Sequence, residues 1–194
     1  MGTAIEKRHK WREKIVALLL SYAGDGEPTG TPEEMIDEAA QRAFKISTAL
    51  GLIPGPIGLF SILPEVMALT KLQIGLIHRI ARHHNKQEKV NHQMILLILS
   101  NAMGVTAGGA LIRKMGTKLV VKSVNTRIIK GIAGKIGTRI IDTAAQKAVG
   151  RWIPMITAPL FGYFSRSLTR KIGREAERVF SQEIEIEPAD GHAS

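Results

Sequence analysis

Side chains able to do covalent or metal chemistry are sparse in this sequence, and their spacing does not suit it. There is no cysteine, which removes thiolate catalysis, disulfides and sulfur-ligated metals. Between Ala39 and Arg174 the only carboxylates are Glu65, Glu88 and Asp142, so no second acid or base lies near Glu65 in sequence to tune it for proton transfer. His83 and His84 are adjacent, hence divergent on a helix, and no H-E-x-x-H or comparable spacing occurs. The string GIAGKIGT, Gly131 to Thr138, lacks the G-x-x-x-x-G-K-[ST] order of a phosphate loop. Its glycines read better as a bend or a close helix contact. These residues predict a non-enzymatic protein with no catalytic residue, no metal and no cofactor. Glu65 reads as a favourable negative charge at a helix N-terminus.

What remains is charge. The chain has 27 Lys and Arg against 17 Asp and Glu, a formal net charge of +10. The acids gather towards the two ends, leaving a basic middle that would attract phosphates of anionic lipid or of nucleic acid. Charge kept only for solubility is the plainer account. Aromatic residues make up 5%, few stacking platforms for nucleic acid, so anionic membrane lipid is the preferred partner and nucleic acid the rival. The polar opening MGTAIEKRHKWREK does not read as a secretory signal. The expected location is cytoplasmic, peripheral to or partly inserted in the inner membrane.

The elements that would position these charges read as helices, and the fold class as all-α. Residues 1–30 form a basic amphipathic helix, Thr3 to Tyr22, and a loop. Residues 31–180 form the helical domain, and residues 181–194 an acidic tail, mobile unless Glu183–Glu187 forms an edge strand. Thr31-Pro32-Glu33-Glu34 announces a helix to about Ser47 through a capping box and a first-turn proline. Leu50 to Leu63 is apolar and uncharged but broken by Pro54 and Pro56, which cannot sustain a regular helix. A helix from about Leu63-Pro64 to His84 follows. Gln93 to Ile112 is uncharged over about the length of a bilayer span, with Gly104 and Gly108 as a G-x-x-x-G; a span and a core helix both remain open. In Lys118 to Gly150, apolar residues recur every fourth position from Val120 to Ile140. That spacing drifts on a helix, so a break is expected at Gly131, Gly134 or Gly137. Trp152 to Phe164 is a second apolar stretch broken by prolines.

Two stretches together resemble the EcsC family: LGLIPGPIGLFSILPEVMALTKLQIGLIHRIARHH, Leu50 to His84, and IPMITAPLFGYFSRSLTRKIGREAERVF, Ile153 to Phe180. A similar helical domain follows the nucleotide-binding domain of some bacterial Era-like GTPases. The resemblance implies a helical, membrane-linked protein, with a membrane transporter or a GTPase as the kind of protein partner. The chain departs from the family's pattern at Thr157-Ala158-Pro159, where a glycine-rich turn is expected.

These readings nominate Ile53, Pro54, Ile57, Leu59, Phe60, Trp152, Leu160 and Phe161 for membrane contact. Lys118, Lys122, Arg166 and Arg170 are nominated for lipid headgroups.

Overall fold

Thr31 opens its helix as its sequence predicts. Its hydroxyl accepts from the Glu34 amide while the Glu34 carboxylate accepts from the Thr31 amide at 2.8 Å, a reciprocal capping box with Pro32 behind it. The computed structural model describes residues 4–22, 24, 26–53, 61–106, 111–115, 118–122, 124–150 and 154–187, and within them all side chains except those of residues 4, 5, 7, 113–115, 147–150 and 154–156. In chain order the elements are α1 (Ala4–Ser21), α2 (Pro32–Gly51), α3 (Ile62–His83), a 3-10 turn (Gln87–Lys89), α4 (His92–Met103), β1 (Ile112–Met115), β2 (Lys118–Val121), α5 (Thr126–Gly150), α6 (Pro154–Phe180) and β3 (Glu183–Ile186). The all-α reading holds, with a small sheet added to one helical domain.

α4 lies in the middle of the core. Met94 to Ser100 are all buried, and each fully buried Ile, Leu or Met contributes about 1.5–3 kcal/mol relative to exposure. The helix starts at Asn91, whose side chain accepts from the Met94 amide, and stops at Gly104, in the left-handed region at φ 68°. Glycine adopts that conformation without the Cβ clash other residues meet. This decides the question left open for the described part of Gln93–Ile112: a 12-residue core helix, His92–Met103, occupies its first half, and Ile112 opens β1. Gly104 therefore ends a helix rather than lining one in a G-x-x-x-G, and Gly108 lies outside the described residues. Among the described residues no helix is long and apolar enough to cross a membrane.

The closest helix pair is α2 with α6, running antiparallel along most of their length. Ala39, Ala43, Ser47 and Gly51 recur every fourth residue on α2 and are all buried. They face Ala158, Gly162, Ser165, Thr169, Gly173 and Ala176 of α6, which are buried as well. A Cβ added at Gly51 would lie 3.1 Å from that of Ala158; one added at Gly162 would meet Thr48 Oγ1 and lie 2.9 Å from Phe44 Cδ2. Only small residues permit this separation. α1 packs on α5, and α3 packs on both α2 and α6. At the far end, Lys86 Nζ donates to the Phe180 carbonyl at 2.6 Å, satisfying an end group of α6, while His84 Nε2 lies 2.8 Å from Glu177 Oε2.

Several sequence expectations change. α2 continues one turn past Ser47, to Gly51, and α3 begins at Ile62, placing Pro64 third rather than first. No break occurs at Gly131, Gly134 or Gly137; the bend comes earlier, between Val121 and Thr126, because Lys118–Val121 is a strand. Val120 and Val124 thus leave the helical stripe, and the drift that remains from Ile128 to Ile140 is taken up without a break: Ile132 and Ile136 are buried, Ile128 is exposed and Ile140 half-buried. Pro159 does not break the second apolar stretch. It sits inside α6, in its second turn, where it forfeits one backbone bond without ending the helix. Thr157-Ala158-Pro159 is likewise helical, with Ala158 buried against Gly51. Finally, Glu183–Ile186 is a strand rather than a tail. It pairs in parallel with β2, which pairs antiparallel with β1, and Ile184 is buried.

Candidate contact face on the last helix

Packing of α6 on α2 determines which side of α6 meets solvent. At 3.6 residues per turn, the α2-facing positions from Ala158 to Ala176 point one way. Leu160, Tyr163, Phe164, Ser167, Lys171, Arg174 and Arg178 fall within roughly a 100° arc pointing the other way. The first part of that stripe is apolar and exposed, with Leu160 at 63%, Tyr163 at 67% and Phe164 at 47%. The second part is basic. Lys171 and Arg174 are exposed and have no ion pair among the described residues. Arg178 is engaged with Glu175. Burial pushes the Glu175 carboxyl up, but hydrogen bonds from Arg178 and Asn101 outweigh it and hold its pKa below the usual value. Leu52, 51% exposed, follows Gly51 and so sits at the apolar end of the α2–α6 pair.

Beneath this face lies a buried polar layer. Ser47 of α2, Glu65 of α3 and Ser165 of α6 are each at most 2% exposed. The Ser47 hydroxyl donates to Glu65 Oε1, and the Ser165 Oγ is 2.7 Å from Ser47 Oγ. Since Ser47 has one hydroxyl proton, Ser165 is the donor of the second bond. Further along, Gln73 Nε2 donates to Thr169 Oγ1 at 3.3 Å. Glu65 does stand in the first turn of α3, where a negative charge is favourable, but it also joins three helices, which the sequence does not reveal. A hydroxyl donating to a carboxylate superficially matches a nucleophile and base. Here Ser47 is 0% exposed, so no substrate atom reaches it. The adjoining cleft, lined by Val66, Gln73, Ile140, Phe164, Ser165 and Leu168 among others, holds about 50 Å³, room for waters rather than for a substrate. Among the described residues no three His, Asp or Glu side chains gather as metal ligands would.

The structure disperses part of the nominated set. Leu160 is fully in the exposed stripe, Phe161 is half-buried beside it and Ile53 is half-buried past α2. Pro54, Ile57, Leu59, Phe60 and Trp152 lie outside the described residues. Arg170 donates to Asp37 Oδ1 through both Nε and Nη2, at 3.0 and 2.7 Å. Arg166 is half-buried, with its Nε enclosed and without a hydrogen-bond partner among the described residues. Lys118 is bound to Glu183 at 3.1 Å, a hydrogen bond that raises its pKa, and Lys122 is exposed at the other end of β2. Fourteen residues of α6 separate Arg166 from Phe180, about 20 Å of helix, so these four cations do not form one patch. On α6, Lys171 and Arg174 are the cations without an ion pair among the described residues that share a face with exposed apolar residues. The 3, 4, 7, 11 and 14 spacing from Leu160 is the sequence signal for them.

No known protein family, curated protein or solved structure matches the chain.

Proposed function

We propose that this is a non-enzymatic protein that rests on an anionic membrane surface through the outer face of α6. The observation that carries the reading is one helical stripe that is apolar and exposed at Leu160, Tyr163 and Phe164 and cationic at Lys171 and Arg174, which have no ion pair among the described residues. Large apolar side chains in water favour transfer to a lipid interface, and basic residues near an anionic leaflet each contribute roughly 1 kcal/mol. The stripe's basic part starts about 10 Å from Phe164 along the helix, so a shallowly tilted α6 brings both parts to the interface. The resemblance to the EcsC family supports the same setting, a peripheral protein on the cytoplasmic side of the inner membrane beside a membrane transporter or GTPase.

The test is co-sedimentation of the protein with vesicles of zwitterionic lipid alone or mixed with anionic phospholipid. Binding should be stronger to the anionic vesicles, and Lys171→Glu with Arg174→Glu should remove most of that preference. Equal binding to both vesicle types defeats the electrostatic half of the reading. Retention on nucleic acid without retention on lipid replaces it with the rival.

A further inference from the structure

A second concentration of unpaired charge lies away from α6, in the groove between α1 and α5. Arg12 lines it from α1, and Lys130, Lys135 and Thr138 line it from α5. None of the three cations is in an ion pair among the described residues. Glu13, which also lines the groove, is turned onto His9 at 3.2 Å. Arg8, one turn before Arg12 on α1, is by contrast paired with Asp142. The groove is broad and open to solvent, about 770 Å³.

Gly131 and Gly134 line it without side chains of their own. Both stand inside a continuous helix, where glycine costs about 1 kcal/mol relative to alanine. Neither is explained by internal packing: a Cβ at either would meet nothing within 4 Å. Gly137 differs, since its Cβ would lie 3.3 Å from Val16 Cγ2, and that glycine serves the α1–α5 contact. Lys130 and Lys135 flank the two bare positions on the helix surface, with Thr138 one turn on.

We propose that this groove binds a phosphate-bearing anion, held by Arg12, Lys130 and Lys135 and admitted by the missing side chains of Gly131 and Gly134. Guanidinium and ammonium donors around a concavity suit phosphate oxygens. The phosphate belongs to a free anion. On α5 the groove lies roughly 160° around the helix from Ile140, Thr143 and Ala144, which approach Phe164. A flat bilayer seated on the α6 face therefore does not reach it.

Inorganic pyrophosphate titrated into the full chain tests this by calorimetry. Binding should saturate. Arg12→Gln and Lys135→Gln should each weaken it about tenfold, the loss of one charge-assisted contact. Gly134→Leu should abolish it without lowering the melting temperature, because leucine fills the groove yet favours helix. The Lys171→Glu/Arg174→Glu protein should bind pyrophosphate normally, which separates this site from the membrane reading. If Gly134→Leu instead reduces sedimentation with anionic vesicles in parallel, the phosphate is a lipid headgroup and the free-anion assignment fails. Unsaturable binding, or unchanged affinity in Gly134→Leu and Lys135→Gln, overturns the site.

Discussion

Leu160→Ser separates a contact residue from a core residue in one protein. Leu160 is 63% exposed, so folding has already used about a third of its burial. Full burial of such a side chain is worth about 1.5–3 kcal/mol, which leaves about 1–2 kcal/mol to be gained on entering a lipid interface. Removing it should weaken partition into anionic vesicles by about 5- to 30-fold. The same substitution should change folding stability little, because the residue touches few neighbours in the folded chain. Truncation of Phe180, 0% exposed on the same helix, supplies the contrast, at about 3–5 kcal/mol. Vesicle sedimentation and thermal unfolding in lipid-free buffer are measured on the same preparations. Unchanged partition of Leu160→Ser refutes the contact face. A melting loss close to that of the Phe180 variant refutes the claim that Leu160 lies outside the core.

Glu65→Gln should lower stability by about 1–3 kcal/mol, since an amide at this buried position loses the charge that Ser47 donates to and adds N–H groups to be satisfied; vesicle binding should persist, and an unchanged melting temperature would show that the polar layer carries no weight. Glu38 bridges Arg42 at 2.6 Å and Arg79 at 3.0 Å, and the Arg79 hydrogen bond foremost holds its carboxyl below the usual 4.5. A depressed carboxylate stabilises above its unfolded pKa and loses that contribution as pH falls through the folded one. The stability gap between wild type and Glu38→Gln should therefore be open at neutral pH and close on acidification below 4.5; a gap independent of pH would contradict the pairing.

Features determined within a few residues were legible in the sequence. The Thr31–Glu34 capping box and the helical content follow from side chains interacting with their own backbone. The absence of cysteine and the basic middle of the chain are matters of composition. The sequence also contained the stripe on α6, but reading it requires knowing which side of that helix α2 covers. A short helical segment with Arg166, Arg170, Lys171 and Arg174 offers four cations, and only the packing shows that Arg170 is held by Asp37 while Lys171 and Arg174 point outward.

What the tertiary structure alone decided involves partners far apart in the chain. Lys118–Val121 is too short to be a stable strand by itself; it becomes one between Ile112–Met115 on one side and, on the other, Glu183–Ile186, more than 60 residues later. Ser47, Glu65 and Ser165 meet because three helices converge. Gly131, Gly134 and Gly137 look alike in sequence, yet one meets α1 and two open onto a groove. Sequence by itself determined where chain segments could be helical and where charge would accumulate, because propensity, capping and composition act locally. Tertiary structure decided which charges are neutralised and which surfaces stay open, because both depend on neighbours that only folding brings within reach.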